Sequence, residues 1–378
     1  MRKYLLMAVL SLLMLAACNG NQNGTVEDVG EEAFFSANLQ RTGVYQSAPV
    51  KKPVASDWTF QTGEWVFTAP AVVEDTVYFG SYDGNLYAVN TTTGEEMWRF
   101  PLNDVVISSP AVVDDLVFIG GLDGTLYAID RQTGEEKWRF ATGGGILSSP
   151  AVVDGLVVVG SQDGILYALK AADGEEAWRV TGNAPILFEA AVVDGLVIFA
   201  EADGKLTAVN ANTGDLAWET RLGDEGSVTT GPVVGDDAIY IVLSDANLVG
   251  SLYAIDLETH HFFWKYQLKT EGYSSPAVWE DLVFVTDLDG LVTAVEQSSG
   301  NARWEFASNS TLFSAPAIAG NFLYFGSWDK NLYALDAARG REMWRLPLGG
   351  GVSSPAVYDG VLYVGADDGN LYAISDSE

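Results

Sequence analysis

Eight tryptophans, Trp58, Trp98, Trp138, Trp178, Trp218, Trp264, Trp304 and Trp344, stand 40 residues apart with a single interval of 46. Each closes a phrase such as DGTLYAIDRQTGEEKWRF (123–140). A fixed period of this size means that every unit is one supersecondary element stacked on its neighbours, whatever the 378-residue length would suggest about domain count. A second marker keeps the same phase: Pro70, Pro110, Pro150, Ala190 (the one substitution), Pro232, Pro276, Pro316 and Pro355 each precede an apolar run. Inside a unit, PAVVDDLVFIGG reads as two strands broken at Asp114 and Asp115, the LDG turn leads into TLYAID, and QTGEE turns into KWRF. Four short antiparallel strands in about 40 residues describe a β-propeller blade. The six extra residues of the fifth unit are expected in SDANLVG (244–250), as a longer loop between its second and third strands.

The two ends of the repeat complement one another. The last unit stops at Glu378, before its tryptophan strand, whereas SDWTFQTG (56–63) is a tryptophan strand with no blade before it. The expected fold is all-β: an eight-bladed propeller in which the N-terminal strand completes the last blade and leaves no open radial edge. An indole laid across the neighbouring blade removes about 150–250 Å² from water, at most roughly 4–6 kcal/mol each, so the tryptophans are read as docking elements rather than chemistry.

The chain carries 51 acidic against 20 basic residues, a formal charge of −31, which opposes association with nucleic acid and is read as a solvated surface. The first 17 residues have a basic start at Arg2 and Lys3 and an apolar stretch too short to span a bilayer, the pattern of an export signal. Leu15-Ala16-Ala17-Cys18 resembles the lipobox of bacterial lipoproteins, which implies cleavage before Cys18 and lipidation of that residue. Cys18 is the only cysteine, so no intramolecular disulfide supports the fold. Residues 18–33 read as a polar tether and 34–378 as the propeller. Asn19 after the lipidated Cys points to the outer membrane of a two-membrane host, or otherwise to the outer face of the cytoplasmic membrane.

The phrase Ala128-x-Asp130-x-x-Thr133-Gly134-x-x-x-Trp138 resembles the tryptophan-docking repeat of the PQQ-binding-like β-propellers. It recurs at Ala88/Gly94/Trp98, Ala168/Gly174/Trp178, Ala208/Gly214/Trp218, Ala294/Gly300/Trp304 and Ala334/Gly340/Trp344. The fifth copy has His260 in place of the glycine, which suggests an altered turn. Residues 34–50 resemble the approach to the first blade in exported members of the family. Within it, a lipobox and eight blades with nothing else attached are most similar to lipoproteins that serve as non-enzymatic scaffolds in outer-membrane β-barrel assembly. That resemblance implies a monomeric propeller, held to the membrane by its lipid, whose partners are envelope proteins, the barrel-assembly machinery first among them. Resemblance to the quinone-dependent dehydrogenases of the family implies instead a vicinal Cys pair and a calcium held by acidic and amide groups. The single Cys disfavours that reading, and no cofactor and no metal is expected.

No catalytic constellation stands out. His260 and His261 are neighbours in one degenerate turn, and the Asp-Gly pairs are explained by turn chemistry. Departures from the repeat point elsewhere. The loop before the Pro-Ala-Val strand and the S-x-D-G loop belong on one face, rimming the central channel. There Phe188 and Glu189 replace Ser148 and Ser149, Glu201 replaces Ser161, and Asp287 takes the same position in the sixth unit. Trp65, Phe67, Tyr82, Tyr273, Phe313 and Trp328 add aromatic rings. An acidic and aromatic funnel is therefore the candidate site for a ligand, a glycan or a peptide, with Glu189 and Glu201 as a pair flanked by Phe188 and Trp328. Restoring Ser at both glutamates is expected to leave folding intact.

Overall fold

The computed structural model describes residues 32–223 and 226–377, so the signal segment, Cys18 and most of the tether lie outside the described residues. Each unit is an antiparallel sheet whose strands neighbour one another in chain order, as in Ala111–Val113, Leu116–Gly120, Thr125–Asp130 and Glu136–Ala141 of the second blade. The innermost strands follow one another round the ring, and Ala71–Val73 of blade one meets Ala356–Tyr358 of blade eight. The N-terminal strand Trp58–Gln61 pairs antiparallel with Asn370–Ile374, from Trp58 opposite Ala373 to Gln61 opposite Asn370. The expected closure is thus found: the outermost strand of the last blade comes from the start of the ring.

Blade five differs from expectation. Four of its six extra residues lie in the hairpin, where Pro232 to Trp264 spans 32 positions against 28 from Pro110 to Trp138, and two lie before Pro232. The hairpin arms lengthen to Ala238–Ser244 and Gly250–Asp256, and Ser227–Val228 pairs with Leu243 and Ser244 as a fifth strand. The insertion is therefore ordered sheet rather than a longer loop.

The tryptophan belt has a physical reason for its glycines. Gly94 and Gly134 adopt φ of +70° and +73°, and a Cβ there would come within 2.8 Å of the Trp58 and Trp98 indoles. Six of the indole N–H groups also donate to a carbonyl of the next blade, as Trp58 to Thr91 and Trp98 to Arg131, at 2.8 and 2.9 Å. Trp138, Trp178, Trp264 and Trp304 repeat the bond, and Trp344 uses the Val50 carbonyl from the N-terminal segment. Trp218 is the exception. It faces His260, which keeps the left-handed backbone at φ +59° and the turn bond to Asp256 of its glycine counterparts. The expected altered turn is not observed; the imidazole stacks on the Trp218 ring at 4.3 Å instead.

The Asp-Gly turns do more than turn. Asp83, Asp163 and Asp368, and Asp329 in the matching Asp-Lys turn of blade seven, accept the hydroxyls of Tyr87, Tyr167, Tyr372 and Tyr333, four residues on, at 2.6–2.7 Å. Burial first and the neighbouring carboxylate second push Tyr167, Tyr333 and Tyr372 up to about 12. An unfolded tyrosine ionises near 10, so between pH 10 and 12 the unfolded chain releases protons that the native chain keeps, and stability falls as pH rises. The melting temperature should drop across that window, and Tyr→Phe at positions 167, 333 and 372 together should flatten the drop. An unchanged slope in the triple variant would mean that other groups govern alkaline unfolding.

Candidate functional site

The channel is closed on one side by residues the repeat does not predict. From Ala33 onward the N-terminal segment runs round the inner strands. Ala33 exchanges both backbone bonds with Val112, and Leu39, Gln40, Thr42 and Gly43 then offer their carbonyls to the amides of Val192, Val234, Val278 and Ile318. These amides stand at one repeat position on the inner edge of blades two and four to seven, where the ladder leaves them unpaired. Arg41, fully buried, projects from this segment with φ +63°. Its guanidinium donates to the carbonyls of Phe35, Pro150 and Ala190 at 2.9, 3.2 and 3.1 Å. Desolvation holds its pKa down to about 10, and the Glu189 charge works the other way.

Glu189 is buried. It lies over Gly231, where a Cβ would come within 2.7 Å of its carboxylate, and accepts the Ser275 hydroxyl from two blades away. It is thus an internal partner for Arg41, at longer range than a direct ion pair. Glu201 is buried elsewhere: it accepts the amides of Asn183 and Ala184 and lies 3.4 Å from Lys205 Nζ. In blade three Ser161 ties the same two loops together by donating to the Gly144 carbonyl. The two glutamates share no bond, so the expected acidic pair is two separate internal contacts. The expectation that both revert to Ser without effect on folding is accordingly revised for Glu189, whose loss leaves Arg41 buried without a counter-charge. Asp287 accepts the amides of Asp289 and Leu291, and its pKa is raised, burial being the main cause.

The two loops assigned to one rim are joined in seven blades by a backbone bond, as Tyr82 N–H to Trp65 and Trp328 N–H to Thr311. Phe67, Ile107, Leu147, Leu187, Tyr273 and Phe313 stand four residues before the inner-strand start, and none is fully buried. Blade eight is one residue short here, 11 positions from Trp344 to Pro355 against 12 in every other blade except the longer fifth, and buried Val352 takes the role of Leu312. Rings from both sides close over the gap. Phe67 meets Phe313 at 6.2 Å, Trp65 meets Trp328 at 6.3 Å, and Tyr82 stacks on Trp65 at 5.8 Å. Gly351 permits this, since a Cβ there would lie 3.2 Å from the Trp328 ring. The Trp328 indole N–H is buried with no acceptor among the described residues. Phe188 is apart from these rings and packs into the core between blades four and five. Of the predicted funnel residues, Tyr82 and Trp328 therefore come together and Phe188, Glu189, Glu201 and Asp287 do not join them. Arg41 was missed, because nothing in the repeat relates position 41 to position 189.

The quinone and calcium implied by the dehydrogenase resemblance do not fit the residues present. Cys18 precedes the propeller, and Glu189, Glu201 and Asp287 are each engaged by internal donors. Among the described residues no group of three or more His, Cys, Asp or Glu is arranged to hold a metal.

An eight-bladed ring with a tryptophan-docked belt and a channel closed by its own N-terminal segment defines a PQQ-like repeat propeller. The family described as outer membrane protein assembly factor BamB matches residues 54–105, 82–249, 223–314 and 289–378, and the chain belongs to it. Its fold is similar to that of BamB from Moraxella catarrhalis, at 20% identity and TM-score 0.74 over 86% of this chain and 100% of that one. It is also similar to a europium-containing methanol dehydrogenase, at 16% identity and TM-score 0.74, with 92% and 98% covered. Quinohemoprotein alcohol dehydrogenase from Comamonas testosteroni gives 15% identity and TM-score 0.77, with 91% and 81% covered. No curated protein sequence matches.

Proposed function

We propose that the chain is a non-enzymatic, lipid-anchored scaffold of the cell envelope that acts with other envelope proteins in outer-membrane protein assembly. Membership of the BamB family supports the class, and one surface observation carries the reading. In blades one, two, three and seven the outer strand is covered by an ion pair between a Glu and the Arg three residues on, with the Arg over a Tyr: Arg99 with Glu96 over Tyr87 in blade one, Arg345 with Glu342 over Tyr333 in blade seven. At the same positions blades four and five present Leu216 and Phe262, with Phe263 beside them, 59%, 56% and 52% exposed. A charged edge discourages association, whereas adjacent apolar residues on an otherwise acidic surface mark a protein contact. The docking edge is therefore assigned to blades four and five, with Cys18 anchoring the chain to the membrane.

Crosslinking and affinity capture of the lipoprotein from its own cells tests this. Replacing Leu216, Phe262 and Phe263 with Ser should lower recovery of envelope partners about tenfold or more, a loss of about 1.4 kcal/mol or more, without changing the melting temperature. Cys18→Ser should move the protein out of the detergent phase. Equal recovery from the triple variant would sink the docking edge. A second reading, ligand or glycan binding in the aromatic funnel, rests on the unpaired Trp328 N–H beside exposed Trp65. It predicts that Trp65→Ala, rather than the triple variant, removes binding.

A further inference from the structure

The joint between blades eight and one contains a cavity of about 270 Å³. That is slightly below the ~300 Å³ at which drug-sized sites begin, and it suits an occupant the size of one side chain. Position by position, its walls repeat the joint between blades one and two. Trp58 and Tyr363 take the places of Trp98 and Tyr78, with the ring pairs 6.0 and 5.8 Å apart, Asp359 takes that of Glu74, and Thr91 takes that of Arg131.

In the joint between blades one and two the space is filled from within. The Arg131 side chain, 9% exposed, lies 3.4 Å from Glu74 and 3.9 Å from Asp115. At the joint between blades five and six, Gln297 occupies the same position, accepting from the Tyr240 hydroxyl and donating to the Glu280 carbonyl. Thr91 is too short to do either.

Two features of the walls point to what is missing. Tyr363 is 2% exposed and lines the cavity. The corresponding hydroxyls of Tyr78, Tyr240 and Tyr324 donate to Arg131, Gln297 and Val50. Among the described residues the Tyr363 hydroxyl has only the short Thr91 side chain as a partner, where its counterparts bond a backbone carbonyl or the longer Gln297. In addition, Asp57 and Asp359 line the cavity with no basic partner among the described residues.

We propose that this cavity is a guanidinium site, in which a group from outside takes the place that Arg131 fills in the next joint. Its charge lies against Asp57 and Asp359, its plane against Trp58, and one N–H donates to the Tyr363 oxygen. The walls come from the N-terminal closing strand, blade one and the last blade, so occupation also ties the ring shut.

Nα-acetylarginine amide is the probe, measured by calorimetry and by melting temperature on the intact chain. It should bind saturably, with a dissociation constant on the order of 1 mM or below, and raise the melting temperature. The neutral isostere Nα-acetylcitrulline amide should bind at least tenfold more weakly, and so should the arginine probe to a variant carrying Asp57→Asn and Asp359→Asn. Thr91→Arg, which supplies the guanidinium internally, should melt higher than the parent and bind no probe. A Gly/Ser peptide with one internal Arg separates the sources: binding equal to the amide supports a partner's side chain, and exclusion of the peptide supports a free small ligand. Absence of saturable binding, equal affinity for citrulline, or undiminished binding by Thr91→Arg each overturns the proposal.

Discussion

Deletion of Ser56–Gln61 should leave a chain that is recovered mainly as aggregate and lacks a cooperative melt near that of the parent. The deletion removes the whole strand paired with Asn370–Ile374 and turns that strand into an exposed edge. It also removes the Trp58 indole from Gly94 and its bond to the Thr91 carbonyl, the contact that joins blade eight to blade one. Truncating a fully buried tryptophan costs about 3–5 kcal/mol, an upper bound for the partly buried Trp58, set against a total stability of roughly 5–15 kcal/mol. Trp58→Ala should therefore remain folded at reduced stability while the strand deletion does not. Removing residues 19–32, which precede Ala33, the first paired residue among those described, should leave the denaturation midpoint unchanged. Equal losses from the two deletions would contradict the closure, and urea denaturation of all three variants decides it.

Arg41→Met should be the most damaging single substitution inside the channel, at about 3–5 kcal/mol. It leaves the carbonyls of Phe35, Pro150 and Ala190 without their donor and Glu189 without its counter-charge. Glu189→Gln should cost less, about 1–3 kcal/mol, because Ser275 can still donate to the amide oxygen. Arg41→Lys should not rescue, since a point charge cannot serve three carbonyls in a fan. The two sites should couple in a double-mutant cycle by at least about 0.5 kcal/mol. Additive losses would mean that Glu189 serves Ser275 alone. Faster proteolysis near residues 33–50 in Arg41→Met would locate the damage in the segment that closes the channel.

The funnel was only partly legible in the sequence. Glu189 and Glu201 both break the repeat in blade four, and a repeat identifies departures without saying which way a side chain turns. Glu201 turns into its own loop, toward Asn183, Ala184 and Lys205, while Glu189 reaches over Gly231 to Ser275. The outer edge of blades four and five could have been found by the same test, since Leu216 and Phe262 stand where four other units have Glu. Each is a single departure from the phase, and only the order of the blades places the two on neighbouring outer strands.

By itself the sequence determined the number of blades, the four-strand unit, the docking tryptophans and the closing strand. All of these rest on contacts within one unit or between neighbouring units, so their signal recurs every 40 residues. Only the tertiary structure decided what lies on the axis. There the ring brings residues of every blade to one place, and the segment from Ala33 to Val50 occurs once, outside the period. Its pairing with Val112, Val192, Val234, Val278 and Ile318, and the meeting of Arg41 with Glu189, follow from closure of the ring. The inner-strand amides are left unpaired until the circle exists, and a chain that buries them must supply carbonyls from outside the repeat.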